Sequence, residues 1–123
     1  MNLMFPNSPL LNRSGAFAIS VAKLIDSIPN TVQGRVIAFQ LMRSAASTAA
    51  NYRATRRARS QAEFIPKLEV VLEEIDESDY WLDFVGELGF CNEPDVLRLR
   101  KEANELAAMA FAARRTALKG RTR

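Results

Sequence analysis

From Gln61 to Leu88 the apolar residues Phe64, Leu68, Val71, Ile75, Leu82 and Val85 recur at a helical period, the mark of a helix with one buried face. At 1.5 Å per residue such a helix is about 42 Å long, and its apolar stripe has to be buried against other elements. No run alternates apolar and polar residues as a strand requires, so the partners must be helices as well. The start of the long helix is written in Ser60-Gln61-Ala62-Glu63, a capping box in which the Ser60 hydroxyl accepts from the Glu63 amide. Charge is sorted around that start. Leu41 to Ala62 carries no acid, whereas Glu63, Glu69, Glu73, Glu74, Asp76, Glu77, Asp79, Asp83 and Glu87 follow against Lys67 alone.

Three further segments fit. From Ser14, the residues Phe17, Val21, Leu24 and Ile28 make a stripe that ends near Ser27, because Pro29 disfavours helical geometry in the residue before it. Asn30 or Thr31 caps a second helix from about Val32 to Ala54. Its later half, Ser44-Ala45-Ala46-Ser47-Thr48-Ala49-Ala50, is small enough for close packing, with Arg43 and Asn51 on its polar edge to fix register. Ser78 interrupts the stripe of the third helix, and Pro66 falls in its second turn, where it costs one backbone bond and predicts a mild bend. Gly86 and Gly89 frame the exit, and Asn92-Glu93-Pro94-Asp95 opens a fourth helix to about Lys119 along Val96, Leu99, Ala103, Leu106, Ala110, Ala113 and Ala117, with Phe111 and Leu118 on its flank. Short turns between long helices predict an all-α, antiparallel up-down-up-down four-helix bundle. The expected division is an irregular N-terminal arm over 1–13, a single bundle domain over 14–119 and a basic tail over 120–123.

A chain of 123 residues is one domain's worth. No apolar run approaches the roughly 20 residues of a bilayer span, and the N-terminus lacks a signal peptide's basic start and uninterrupted apolar core. The expected compartment is the cytoplasm, with no membrane partner. Cys91 is the single cysteine, which excludes an internal disulfide framework and reads as a small half-buried filler.

There is no histidine, so the common general base, the usual zinc sites and the Glu-x-x-His di-iron motif are all missing. The serines of the second helix have no base to activate them. Glu73, Glu74 and Glu77 read as a solvated face, not a metal site, and no phosphate-binding loop or dinucleotide fingerprint occurs. No catalytic residue, metal or cofactor is expected, and the chain is read as no enzyme. Two surface features remain. Arg53, Arg56, Arg57 and Arg59, with Tyr52 beside them, gather where the second and third helices join; arginine forks suit phosphate and a tyrosine can stack on a base. The other reading of these arginines is a solvated loop, or ion pairing with the acidic third helix of the same or a neighbouring subunit. Trp81, Phe84 and Leu88, with Tyr80 beside them, widen the apolar face of the third helix beyond one seam, as a broad internal core or as a subunit interface. A net charge of +3 permits RNA or DNA as a partner without requiring it.

The central stretch resembles a family of bacterial four-helix bundle proteins, the 23S rRNA intervening-sequence proteins and, more distantly, the accessory variability proteins of diversity-generating retroelements. The likeness rests on Gln40-Leu41-x-Arg43-Ser44-Ala45, Ala50-Asn51-Tyr52-Arg53, Ala58-Arg59-Ser60-x-Ala62-Glu63-Phe64-Ile65 and Glu73-Glu74-x-Asp76-Glu77-Ser78-x-Tyr80-Trp81-Leu82. One departure is Ala54, where members often carry Glu. The resemblance implies a ring-like homopentamer and, from the retroelement relatives, a basic surface for nucleic acid and a reverse transcriptase partner; it implies no enzyme. Two functions follow: an oligomeric, nucleic-acid-binding accessory protein using the basic junction, or an oligomeric structural or protein-interaction module with no nucleic-acid role.

Overall fold

The computed structural model describes residues 9–121, with side chains through 120. Four helices follow one another: α1 Pro9–Leu24, prolonged by a 3-10 turn at Ile25–Ser27, then α2 Val32–Thr55, α3 Gln61–Glu87 and α4 Glu93–Arg121. Among the described residues the helices pair α1 on α2, α2 on α3, α3 on α4, and α1 closing the ring on α4. Cross-helix contacts give the directions. Arg43 meets Glu77, while Asn51, Ala54 and Thr55 border the same hollow as Lys67 and Val70, so rising numbers on α2 face falling numbers on α3. In the same way Arg100 meets Asp83 and Arg114 meets Glu69 across α3 and α4, and Cys91 lies by Leu24 while Arg13 meets Glu102 across α4 and α1. The bundle is antiparallel throughout, as the short turns predict.

The helix starts are those the sequence marks. Thr31 Oγ1 accepts from the Gly34 amide at 3.0 Å, Ser60 Oγ from the Glu63 amide at 3.2 Å and Asn92 Oδ1 from the Asp95 amide at 3.0 Å, each a cap worth about 1 kcal/mol. α3 runs unbroken through Pro66 to Glu87, and just past its cap Gly89 has a φ of 68°, the left-handed conformation that glycine adopts without strain. There the Phe90 amide donates to the Val85 carbonyl at 3.2 Å and the Gly89 amide to the Gly86 carbonyl at 3.0 Å, which satisfies two carbonyls that the helix end would otherwise orphan.

One boundary differs. The arm expected over 1–13 is helical from Pro9, and Leu10 and Ser14 extend the buried stripe of Phe17, Val21 and Leu24 toward the N-terminus. A proline is tolerated in a first helical turn, so it did not mark irregular chain here. The rest of that arm, and residues 122–123 of the tail, lie outside the described residues.

The core is the sum of the four stripes, with Phe17, Leu41, Phe64, Leu68, Leu82, Leu99 and Leu106 among its buried members. Small residues bring α2 close to α3, and Ser78 is no defect in this packing. Its Oγ lies 2.9 Å from Ser44 Oγ and 2.9 Å from the Glu74 carbonyl, and Ser44 Oγ lies 3.2 Å from the Leu41 carbonyl. The buried hydroxyls therefore satisfy one another and the backbone, as buried polar groups must.

Candidate nucleic-acid interface

The antiparallel order puts the C-terminal ends of α2 and α4 and the N-terminal end of α3 together. A Cβ added at Gly120 would stand 2.3 Å from Gln61 Nε2, so the last turn of α4 lies against the first turn of α3. Residues 53–69 and 114–120 thus share one end of the bundle. They bring Arg53, Arg56, Arg57, Arg59, Lys67, Arg114, Arg115 and Lys119 together with only Glu63 and Glu69, out of 17 basic and 14 acidic residues in the chain. Both carboxylates are already engaged: Glu63 with Arg59 at 3.7 Å and Lys67 at 3.4 Å, and Glu69 with Arg114 at 3.5 Å. Arg53, Arg57 and Arg59 are exposed and Arg56 is half-buried at the end of α2.

Tyr52 must be removed from this group. It is 1% exposed and belongs to the core, so its ring offers no face to a base. Four residues beyond Thr48 and seven beyond Ala45, both buried, it lies on the inward stripe of α2; the neighbouring Arg53 points away because adjacent helical residues do not share a face. The contribution of α4 does not show in the run of arginines at the junction. Helices of even number end on the same side in an up-down bundle, and that parity is the signal that would have joined Arg114, Arg115 and Lys119 to the junction.

The opposite half has another character. Tyr80, Phe84 and Leu88 are exposed and Trp81 is half-buried against the core, so the aromatic patch is not enclosed by its own chain. The rings of Tyr80 and Trp81 stand edge to face at 5.0 Å and those of Trp81 and Phe84 at 5.7 Å. On α2 the exposed residues Val32, Val36 and Phe39 form a stripe with Arg43, which pairs with Glu77 at the head of the α3 stripe that carries Trp81, Phe84 and Leu88. The two stripes run on from that pair, side by side, toward the start of α2.

At the junction of the two halves, Arg43 donates to Glu77 and, at 3.3 Å, to Glu74, while Trp81 Nε1 lies 3.5 Å from Glu77 Oε1. The Arg43 hydrogen bond holds the Glu77 carboxyl below the usual glutamate range, with the Trp81 bond acting in the same direction against the opposing effect of burial. A folded-state pKa lowered in this way contributes stability above the unfolded glutamate pKa of about 4.3, and that contribution is lost as pH falls through the folded value. Glu77→Gln is therefore expected to flatten the acid limb of the stability curve below about pH 4.3, with little change in the pH dependence near neutrality. Urea midpoints collected across that range at fixed protein concentration check it.

Cys91 is buried, with its thiol pushed up first by burial and then by the charge of Asp95, which disfavours the reactive thiolate. Among the described residues no three His, Cys, Asp or Glu side chains are grouped so as to hold a metal ion, and no helix is long and apolar enough to cross a membrane.

Residues 7–112 match the family described as 23S rRNA-intervening sequence protein. The chain belongs to that family. Among solved structures, the chain is similar to a protein of unknown function from the S23 ribosomal protein family of Bacteroides thetaiotaomicron, with 26% identity, a TM-score of 0.79, and coverage of 85% of this chain and 97% of the other. No match was found among curated proteins. Neither the family nor the solved structure indicates an enzyme family.

Proposed function

We propose that this protein is a non-enzymatic nucleic-acid-binding protein, which grips a phosphate backbone with the basic end of the bundle and assembles through the aromatic end. The observation that supports it is the charge polarity. One end holds eight of the basic side chains with two carboxylates, while the rest of the chain, with twelve carboxylates against nine basic residues, is acidic. Backbone contacts supply most of the affinity in sequence-tolerant binding, because each neutralised phosphate releases counterions. The exposed stripes on α2 and α3 support self-association by the criterion that contiguous apolar patches on a soluble protein mark contact sites. A ring of five, as the family resemblance implies, would repeat the basic end around one axis and sum weak sites.

Fluorescence anisotropy with structured RNA and duplex DNA at two salt concentrations, alongside light scattering, tests both parts. The expected result is binding that tolerates sequence change and weakens steeply with salt, by a particle of five times the 13.7 kDa chain mass. No binding at low salt by an intact oligomer would instead favour a structural or protein-interaction module, the reading that the aromatic patch alone supports. A monomer mass at micromolar concentration would reject assembly.

A further inference from the structure

The burial of Tyr52 leaves the basic end without the stacking ring that its sequence suggests, but α4 supplies another. Phe111 is 53% exposed and stands one turn before Arg114 and Arg115. Beside it α3 and α4 leave a hollow of about 150 Å³. Leu72, Ala107 and Phe111 give it apolar walls, and Asp76, Asp79 and Asn104 add polar lining. Asp79 is occupied by Arg100 at 2.9 Å, whereas Asp76 is exposed. Phe111 and Arg115 are four residues apart, so they sit on one face of α4 about 6 Å apart along its axis, close to the separation of base and phosphate within a nucleotide.

We infer that this hollow takes an unpaired nucleobase, stacked on Phe111, from a strand whose phosphates are held by Arg115 and the junction arginines. The inference rests on the proposed nucleic-acid role and specifies its ligand: a strand with bases free to leave the helix. Every base has a π-face, so a ring next to a basic track favours single strands without demanding a sequence. Asp76 adds an acceptor for the N–H groups on a base edge. A continuous duplex keeps its bases stacked inside and can use only the arginines.

Anisotropy titrations of the full chain and of Phe111→Ala and Phe111→Tyr test it, using a short single strand, a hairpin duplex with the same number of phosphates, and a single strand of abasic sites. Phe111→Ala is expected to weaken single-strand binding by about tenfold, to leave duplex binding and the salt slope unchanged, and to retain the helical circular dichroism of the parent. Phe111→Tyr keeps single-strand affinity, and the abasic strand binds the parent as weakly as the ordinary strand binds Phe111→Ala. The inference is overturned if Phe111→Ala changes single-strand and duplex binding alike or changes neither, as it would if the hollow seated an apolar side chain of a protein partner. If the parent binds none of the three probes, the nucleic-acid role itself fails, and this pocket with it.

Discussion

Replacing Arg53, Arg57 and Arg59 together by Ala is expected to weaken nucleic-acid binding by about two to three orders of magnitude at roughly 0.1 M salt, while the oligomer and its stability stay as they were. Each phosphate contact contributes about 0.9 to the slope of log affinity against log salt, so three lost contacts remove about 2.7 decades at that concentration and lower the slope by about 2.7. The three side chains are exposed, and the one ion pair among them, Arg59 with Glu63 at 3.7 Å, is of the solvated kind that contributes little to folding. Anisotropy titrations across a salt series read both quantities. A variant that dissociates the oligomer while the parent binds no nucleic acid at low salt would make these arginines interface partners of the acidic helix instead.

The second large effect is on stability, and its sign runs against the usual rule. A glycine inside a helix ordinarily costs roughly 0.5–1 kcal/mol relative to alanine, so Gly34→Ala in the first turn of α2 would by propensity alone stabilise the protein. The structure reverses this. A Cβ at Gly34 would stand 1.8 Å from the Pro29 carbonyl oxygen and 3.2 Å from an Ile28 methyl group, and the same Pro29 carbonyl accepts from the Thr31 amide at 2.9 Å. Backbone cannot swing aside as a flexible side chain does, so the turn between α1 and α2 must open and its hydrogen bonds must loosen. Gly34→Ala is expected to destabilise by about 2 kcal/mol or more. Gly15→Ala in α1 is the control: nothing lies within 4 Å of its added Cβ, and it should stabilise by about 0.5–1 kcal/mol. Urea unfolding of parent and variants at one protein concentration compares them. Equal stabilisation by both substitutions would show that the turn closes less tightly than described.

The sequence exposed the fold well because its signals were local. Ser60 and Thr31 name helix starts through hydroxyls that bond amides three residues on, and stripes such as Phe64, Leu68, Val71 and Ile75 need only helical period to be seen. The same logic extended past Ser14 carries α1 back through Leu10, four residues ahead on the same stripe, with Pro9 in a first turn that tolerates it. The candidate site was less legible because it is assembled by topology. Arg53 and Arg57 stand out as a run, but Lys119 reaches them only through the antiparallel order of four helices. Adjacency also misleads: Tyr52 follows its helical phase into the core, whereas Phe111, nearly sixty residues away, is the exposed ring at the basic end. Likewise Val32, Val36 and Phe39 look like ordinary core residues until the register set by Arg43 and Glu77 places them beside Trp81 and Phe84 on the outside.

Photo-crosslinking of a bound oligonucleotide, followed by mass spectrometry of the peptides, asks most directly whether function follows the polarity of the bundle. Cross-links confined to peptides from residues 53–79 and 103–119, the basic end and the hollow beside Phe111, are the predicted result. Cross-links on residues 80–95, the aromatic end, would contradict the account.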